Sequence, residues 1–101
     1  MGLKEIIANK KLKNKLSDLY CGITDSFVDI TERVQLNKLT KSAGMGMLQV
    51  VCDSGKDDYA KLKSNNLNAE ELFIESDKKF NSLFKDIEST IETYGADIYS
   101  L

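Results

Sequence analysis

The residues whose types and spacing suit chemistry are few. Asp53, Asp57 and Asp58 crowd around Ser54-Gly55, and carboxylates gathered in a turn are what a hard divalent cation takes as ligands. The spacing departs from an EF-hand loop. Gly55 holds the third position, Asp58 replaces the sixth-position glycine, and Ser64 stands where the closing glutamate belongs. The same residues serve as helix punctuation, because Ser54-Gly-Lys-Asp57 has capping-box spacing. Cys21 and Cys52 sit among apolar neighbours, without metal-ligand spacing or an activating residue beside them, and read as buried thiols. Histidine is absent, which removes the usual general base near neutral pH and every Ser-His or Cys-His pair. No phosphate-cradling glycine motif occurs. The expectation is a protein that is not an enzyme and uses no cofactor, with a weak divalent cation at Asp53, Asp57 and Asp58 as the alternative.

The elements that position these residues are helices. There is no proline, and the six glycines are thinly spread, which favours long helices over a turn-rich β fold. A chain of 101 residues, 42% hydrophobic and 30% charged, reads as one soluble globular domain over 1–101. In the last third, Phe73, Phe80, Phe84, Ile87, Ile91, Tyr94, Ile98 and Leu101 follow the a/d spacing of a helix that buries one seam. Asp77 fills the one seam slot that should be apolar. A lone buried carboxylate is costly, so Asp77 lies at an open end, is matched by a lysine, or fixes register between two chains. Asn68 is the expected cap of this helix.

Earlier in the chain, Leu12, Leu16, Leu19, Ile23, Phe27, Ile30 and Val34 share one narrow stripe at about 100° per residue. The stripe predicts one helix from about Lys10 to Lys41 that passes through Gly22. Leu3, Ile6 and Ile7 fall on almost the opposite side of the same wheel. Either the helix breaks near Ala8–Lys11 or its first turns dock elsewhere, as a basic arm over residues 1–9. With Lys4, Lys10 and Lys11 beside them, these apolar residues suit an anionic membrane surface or a partner groove, and equally a hook over the end of the bundle. Ala43 to Cys52 is apolar except for Gln49 and predicts a buried, Met-rich helix. A stop at Asp53-Ser54-Gly55 and a short helix over Lys56–Lys63 follow. The expected fold is all-α: a small antiparallel helical bundle in which two long helices flank the Met-rich helix and the short one.

Charge narrows the partners. The net charge of −2 argues against nucleic acid. Residues 1–16 nevertheless carry +4, and residues 68–101 carry −5. No stretch approaches the ~18 apolar residues of a membrane span. Met1–Ile7 lacks the apolar core of a signal peptide, and two cysteines are too few for a disulfide framework, which together point to the cytoplasm.

The run Leu48-Gln-Val-Val-Cys-Asp-Ser-Gly55, then Asp57-Asp58, and later Asn68-Ala-Glu-Glu-Leu72 resembles the core of TerB-like tellurite-resistance proteins. The resemblance covers about 30 residues. It implies an all-α fold, a stress-response role and divalent metal at Asp53, Asp57 and Asp58. Size and hairpin pattern are also similar to WXG-type helical-hairpin proteins, although the chain has no tryptophan. The functional reading is a helical adaptor or regulator that binds a protein partner, or a second copy as a dimer, through its last helix. Phe80, Phe84, Ile87 and Ile91 would form the contact, with Asp77 setting register. The same seam serves equally as intramolecular core.

Overall fold

The computed structural model describes residues 2–99, apart from the side chain of Glu5. It is all-α, with three helices: α1 (Leu3–Gln35), α2 (Lys41–Ser64) and α3 (Glu70–Tyr99). Leu101, assigned to the C-terminal seam, lies outside the described residues.

Each helix boundary has a local cause. The α1 stripe does run through Gly22, where a Cβ would meet no neighbour, but the helix stops six residues before Lys41. Asn37 adopts φ 58°, a left-handed conformation that asparagine tolerates better than most residues. Lys38 N–H then bonds the Arg33 carbonyl at 2.8 Å and Asn37 N–H bonds that of Val34 at 3.1 Å, the Schellman pattern that closes a helix. Thr40 opens α2 by accepting the Ala43 N–H at 3.1 Å. At the other turn, Asn66 Nδ2 donates to the Leu62 carbonyl at 2.8 Å. Ala69, rather than Asn68, supplies the carbonyl that accepts the Phe73 N–H at the start of α3.

Directions follow from which residues meet. Val34 lies against Gly44 and Ile23 against Gly55, so α1 and α2 run oppositely. Tyr94 also meets Gly44 and Phe84 meets Gly55, so α3 reverses α2 and runs with α1. The inner face of α2 is Gly44, Leu48, Cys52, Gly55 and Tyr59, at steps of 4, 4, 3 and 4. Two of those five positions are glycine, and each gives both neighbouring helices room to close in. A Cβ at Gly55 would stand 2.8 Å from Ile23 Cδ1 and 3.1 Å from Phe84 Cε1. This explains why the expected break is not there: Gly55 is a close-approach position inside α2, and the short helix over Lys56–Lys63 is simply its second half.

The predicted stripes of α1 and α3 supply the remainder of the core. Leu12, Leu16, Ile23, Ile30 and Val34 are buried, with Leu19 and Phe27 half-buried beside them. From α3 come Phe73, Phe80, Leu83, Phe84, Ile87 and Tyr94. Aromatic rings join the helices at one level. Phe80 stacks on Tyr59 with centroids 4.2 Å apart and takes the edge of Tyr20 at 5.5 Å. No polar or charged residue is buried among the described residues.

The molecule measures 60 × 20 × 17 Å. Its length exceeds what the shared core needs, because Leu12 is the first buried residue of α1. The described side chains of residues 3–11 are all exposed, and Leu12 already lies level with the Asn65–Ala69 turn. The first turns of α1 therefore run past the bundle with Leu3, Ile6 and Ile7 exposed, while Ala8 and Asn9 border the α2–α3 turn beside Leu12. They continue the helix without the expected break.

Candidate functional site

The C-terminal seam is filled from within. Phe80 and Ile87 are 2% and 0% exposed, Phe84 is buried against Gly55, which Ile23 also faces, and Ile91 is half-buried against the core. Assigning these four residues to an outside partner is therefore corrected, since α1 and α2 already cover them. Asp77 is matched by a lysine of its own chain. Lys63 Nζ lies 3.1 Å from both carboxylate oxygens, and the Tyr59 hydroxyl donates to one of them. The hydroxyl's hydrogen bond, aided by the Lys63 charge, holds the Asp77 carboxyl below the usual carboxylate range against a partial desolvation that opposes it. Burial and the neighbouring carboxylate push the Tyr59 phenol well above its ordinary value.

This site belongs to a ladder between α2 and α3. Lys41 pairs with Asp97 at 2.8 Å, Lys56 pairs with Glu88, and Lys63 pairs with Asp77. All three inter-helical ion pairs among the described residues join these two helices; the other pairs are internal to α1, α2 or α3. Surface pairs of this kind contribute little stability each, but they fix the register of α3 on α2. Contact between α1 and its neighbours is mainly apolar, with Lys79 Nζ set 4.8 Å from the Tyr20 ring centroid.

The acidic loop is not formed. Asp53, Asp57 and Asp58 ride on the exposed surface of α2, where Gln49 Nε2 donates to Asp53 at 2.9 Å and Lys61 pairs with Asp57 at 3.4 Å. Asp53 and Asp57 follow one another by a single turn, Asp58 lies about 100° round the helix from Asp57, and no group of three metal-ligating side chains exists among the described residues. The expected stop at Asp53-Ser54-Gly55 is absent, because α2 runs through these positions. Of the two thiols, Cys52 is buried as expected, and burial pushes it up from its ordinary pKa. Cys21 is exposed instead, on the outward side of α1.

The Met-rich segment is likewise not buried all round. Gly44, Leu48 and Cys52 face the core, while Val50 is 67% and Met47 39% exposed on the opposite side. Ala43, Gly46, Met47 and Val50 form one wall of a shallow apolar groove whose other wall is Ser26, Asp29 and Ile30 of α1. The groove continues past Gly22 and Ser54, with Asp18 and Asp58 at its rim. Its lining carries three carboxylates and no lysine or arginine. A decapeptide apolar on both faces except at Gln49 hides this surface from sequence reading. The usable signal is that Ala43, Gly46, Met47 and Val50 lie on the back of the Gly44–Leu48–Cys52 seam.

The anionic-surface residues come together as a second exposed apolar feature. Leu3, Ile6 and Ile7 are 72%, 55% and 46% exposed on the projecting turns, and Lys4, Lys10 and Lys11 are exposed around them. No helix among the described residues is long and apolar enough to cross a membrane. No protein-family model matches the chain, and neither curated proteins nor solved structures yield a match.

Proposed function

We propose that the protein is a non-catalytic helical interaction module that associates with a second copy of itself through the α1–α2 groove. The observation that carries this reading is the exposed apolar wall Ala43, Gly46, Met47 and Val50, on a helix whose inner face already fills the core. Apolar side chains gathered in a groove gain from being covered, by roughly 25 cal/mol for each Å² removed from water. Small side chains at Ala43, Gly46, Gly22 and Ser26 let another helix backbone come close. The absence of histidine and of any buried polar residue among those described favours binding over turnover.

The test is solution mass by light scattering over a concentration series, for wild type, Val50→Asp and Phe84→Asp. Wild type is expected to rise above one-chain mass as concentration increases. Val50→Asp is expected to stay folded by circular dichroism and remain a single chain. Phe84→Asp buries a charge in the core beside Gly55 and is expected to unfold. A wild type that stays monomeric into the millimolar range, or a Val50→Asp variant that associates as wild type does, overturns the reading.

A further inference from the structure

We infer that the occupant of the groove is the projecting first two turns of α1 from a second copy, a deduction that rests on the groove being the self-association surface. Both parts are incomplete alone. The projection is helical, yet Leu3, Ile6 and Ile7 all stay exposed on it. The groove is apolar along its floor and open to water at Val50.

Charge selects the pairing. Lys4, Lys10 and Lys11 surround the projecting apolar residues. The groove presents Asp18, Asp29 and Asp58 with no basic residue in its lining. Two projections would repel each other, and so would two grooves, whereas projection against groove brings opposite charge to the edges of an apolar contact. Asp29 already holds Arg33 at 3.3 Å, an exposed pair that an incoming lysine can share. Reach excludes the same chain: Ile7 and Ser26 lie about 29 Å apart along one helix at roughly 1.5 Å per residue. The contact is thus intermolecular and joins two different surfaces, so a pair that does not close on itself keeps one free projection and one free groove.

The experiment uses two full-length variants, each disabled on one side. Ile7→Asp spoils the projection and leaves the groove; Val50→Asp does the reverse, with Met47→Asp as its substitute if Val50→Asp fails to fold. Both side chains are exposed, so melting is expected to stay near wild type. Alone, each variant is expected to self-associate at least about tenfold more weakly than wild type, a loss of ~1.4 kcal/mol. Mixed, they are expected to form a one-to-one complex of near wild-type affinity, because one intact projection meets one intact groove. The complex is expected to weaken as salt rises from about 0.1 M to 1 M and screening tightens from ~10 Å to ~3 Å.

A mixture that stays monomeric overturns the inference. If Ile7→Asp associates as wild type does while Val50→Asp does not, the groove is used by something else; the inference fails and the reading of the groove stands. If both variants associate normally, both fail. If wild type stays monomeric but sediments with vesicles containing anionic phospholipid, and Ile7→Asp does not, the projection serves a membrane surface and the inference is overturned.

Discussion

Gly55→Ala tests how closely three helices meet, because two opposing effects act at one position. Within a helix, replacing glycine by alanine gains about 1 kcal/mol from backbone propensity. Gly22 and Gly46 stand in helix interiors with no neighbour near a new Cβ, so each is expected to show that full gain. For a chain of this size the gain raises Tm by roughly 4–8 °C. At Gly55 the same methyl would stand 2.8 and 3.2 Å from Ile23 Cδ1 and Cγ1, and 3.1 Å from Phe84 Cε1. Ile23 Cδ1 can swing aside, but Cγ1 and the buried Phe84 ring must shift by tenths of an ångström within a packed core. Overpacking of that kind costs about 1–3 kcal/mol, which cancels the propensity gain and leaves a net loss of about 1 kcal/mol. The expected order of melting temperatures is therefore Gly22→Ala, wild type, Gly55→Ala, with about 2 kcal/mol between the extremes. Thermal unfolding followed by circular dichroism at micromolar concentration measures it. A Gly55→Ala variant that gains as much as Gly22→Ala would mean that α1 and α3 do not close on α2 at this level, and the core geometry would be wrong.

Two further outcomes follow from the same geometry. Asp77 is held below the usual carboxylate range by Tyr59 and Lys63, so its contribution is fully present above its ordinary pKa of about 4 and is lost as pH falls through the lower folded value. Asp77→Asn is expected to flatten the acid limb of stability against pH below about 4, and Tyr59→Phe to shrink it, because the folded carboxyl then titrates nearer its ordinary value, both measured by urea unfolding at successive pH values. Cys21 is exposed and Cys52 is buried, so a thiol-reactive dye should label one site quickly in the folded protein and the second only on unfolding. Two fast-labelling sites would contradict the position of Cys52 in the core.

The apolar period of 3.6 made α1 and α3 readable, since every described residue of both predicted stripes is buried or half-buried. In the middle of the chain the expected stop fails at a glycine. Gly55 looks like a break to local rules, yet it marks where neighbouring helices approach, a property of the partners rather than of the segment. Ser54 and Asp57 matched a capping box, but nothing ends at that point, so tertiary packing overrode local preference. For Asp77 the sequence narrowed the outcome to a few possibilities, and only the fold of α2 beside α3 identifies Lys63 and Tyr59. The groove was illegible for a different reason. Periodicity separates polar from apolar faces, and Ala43–Cys52 is apolar on both.

The two turns that join the helices, residues 36–40 and 65–69, bear on how the chain reaches its fold. Each lets a helix pack on the next as soon as both exist, so little loop entropy opposes the first contacts. Helical bundles with such local connectivity fold in microseconds to milliseconds, and without proline no slow peptide-bond isomerisation delays the last molecules. A newly made chain would then expose its seams only briefly before meeting others of its kind. Encounters at the outer surface would take place between finished monomers, and rebinding after dissociation would need no refolding step.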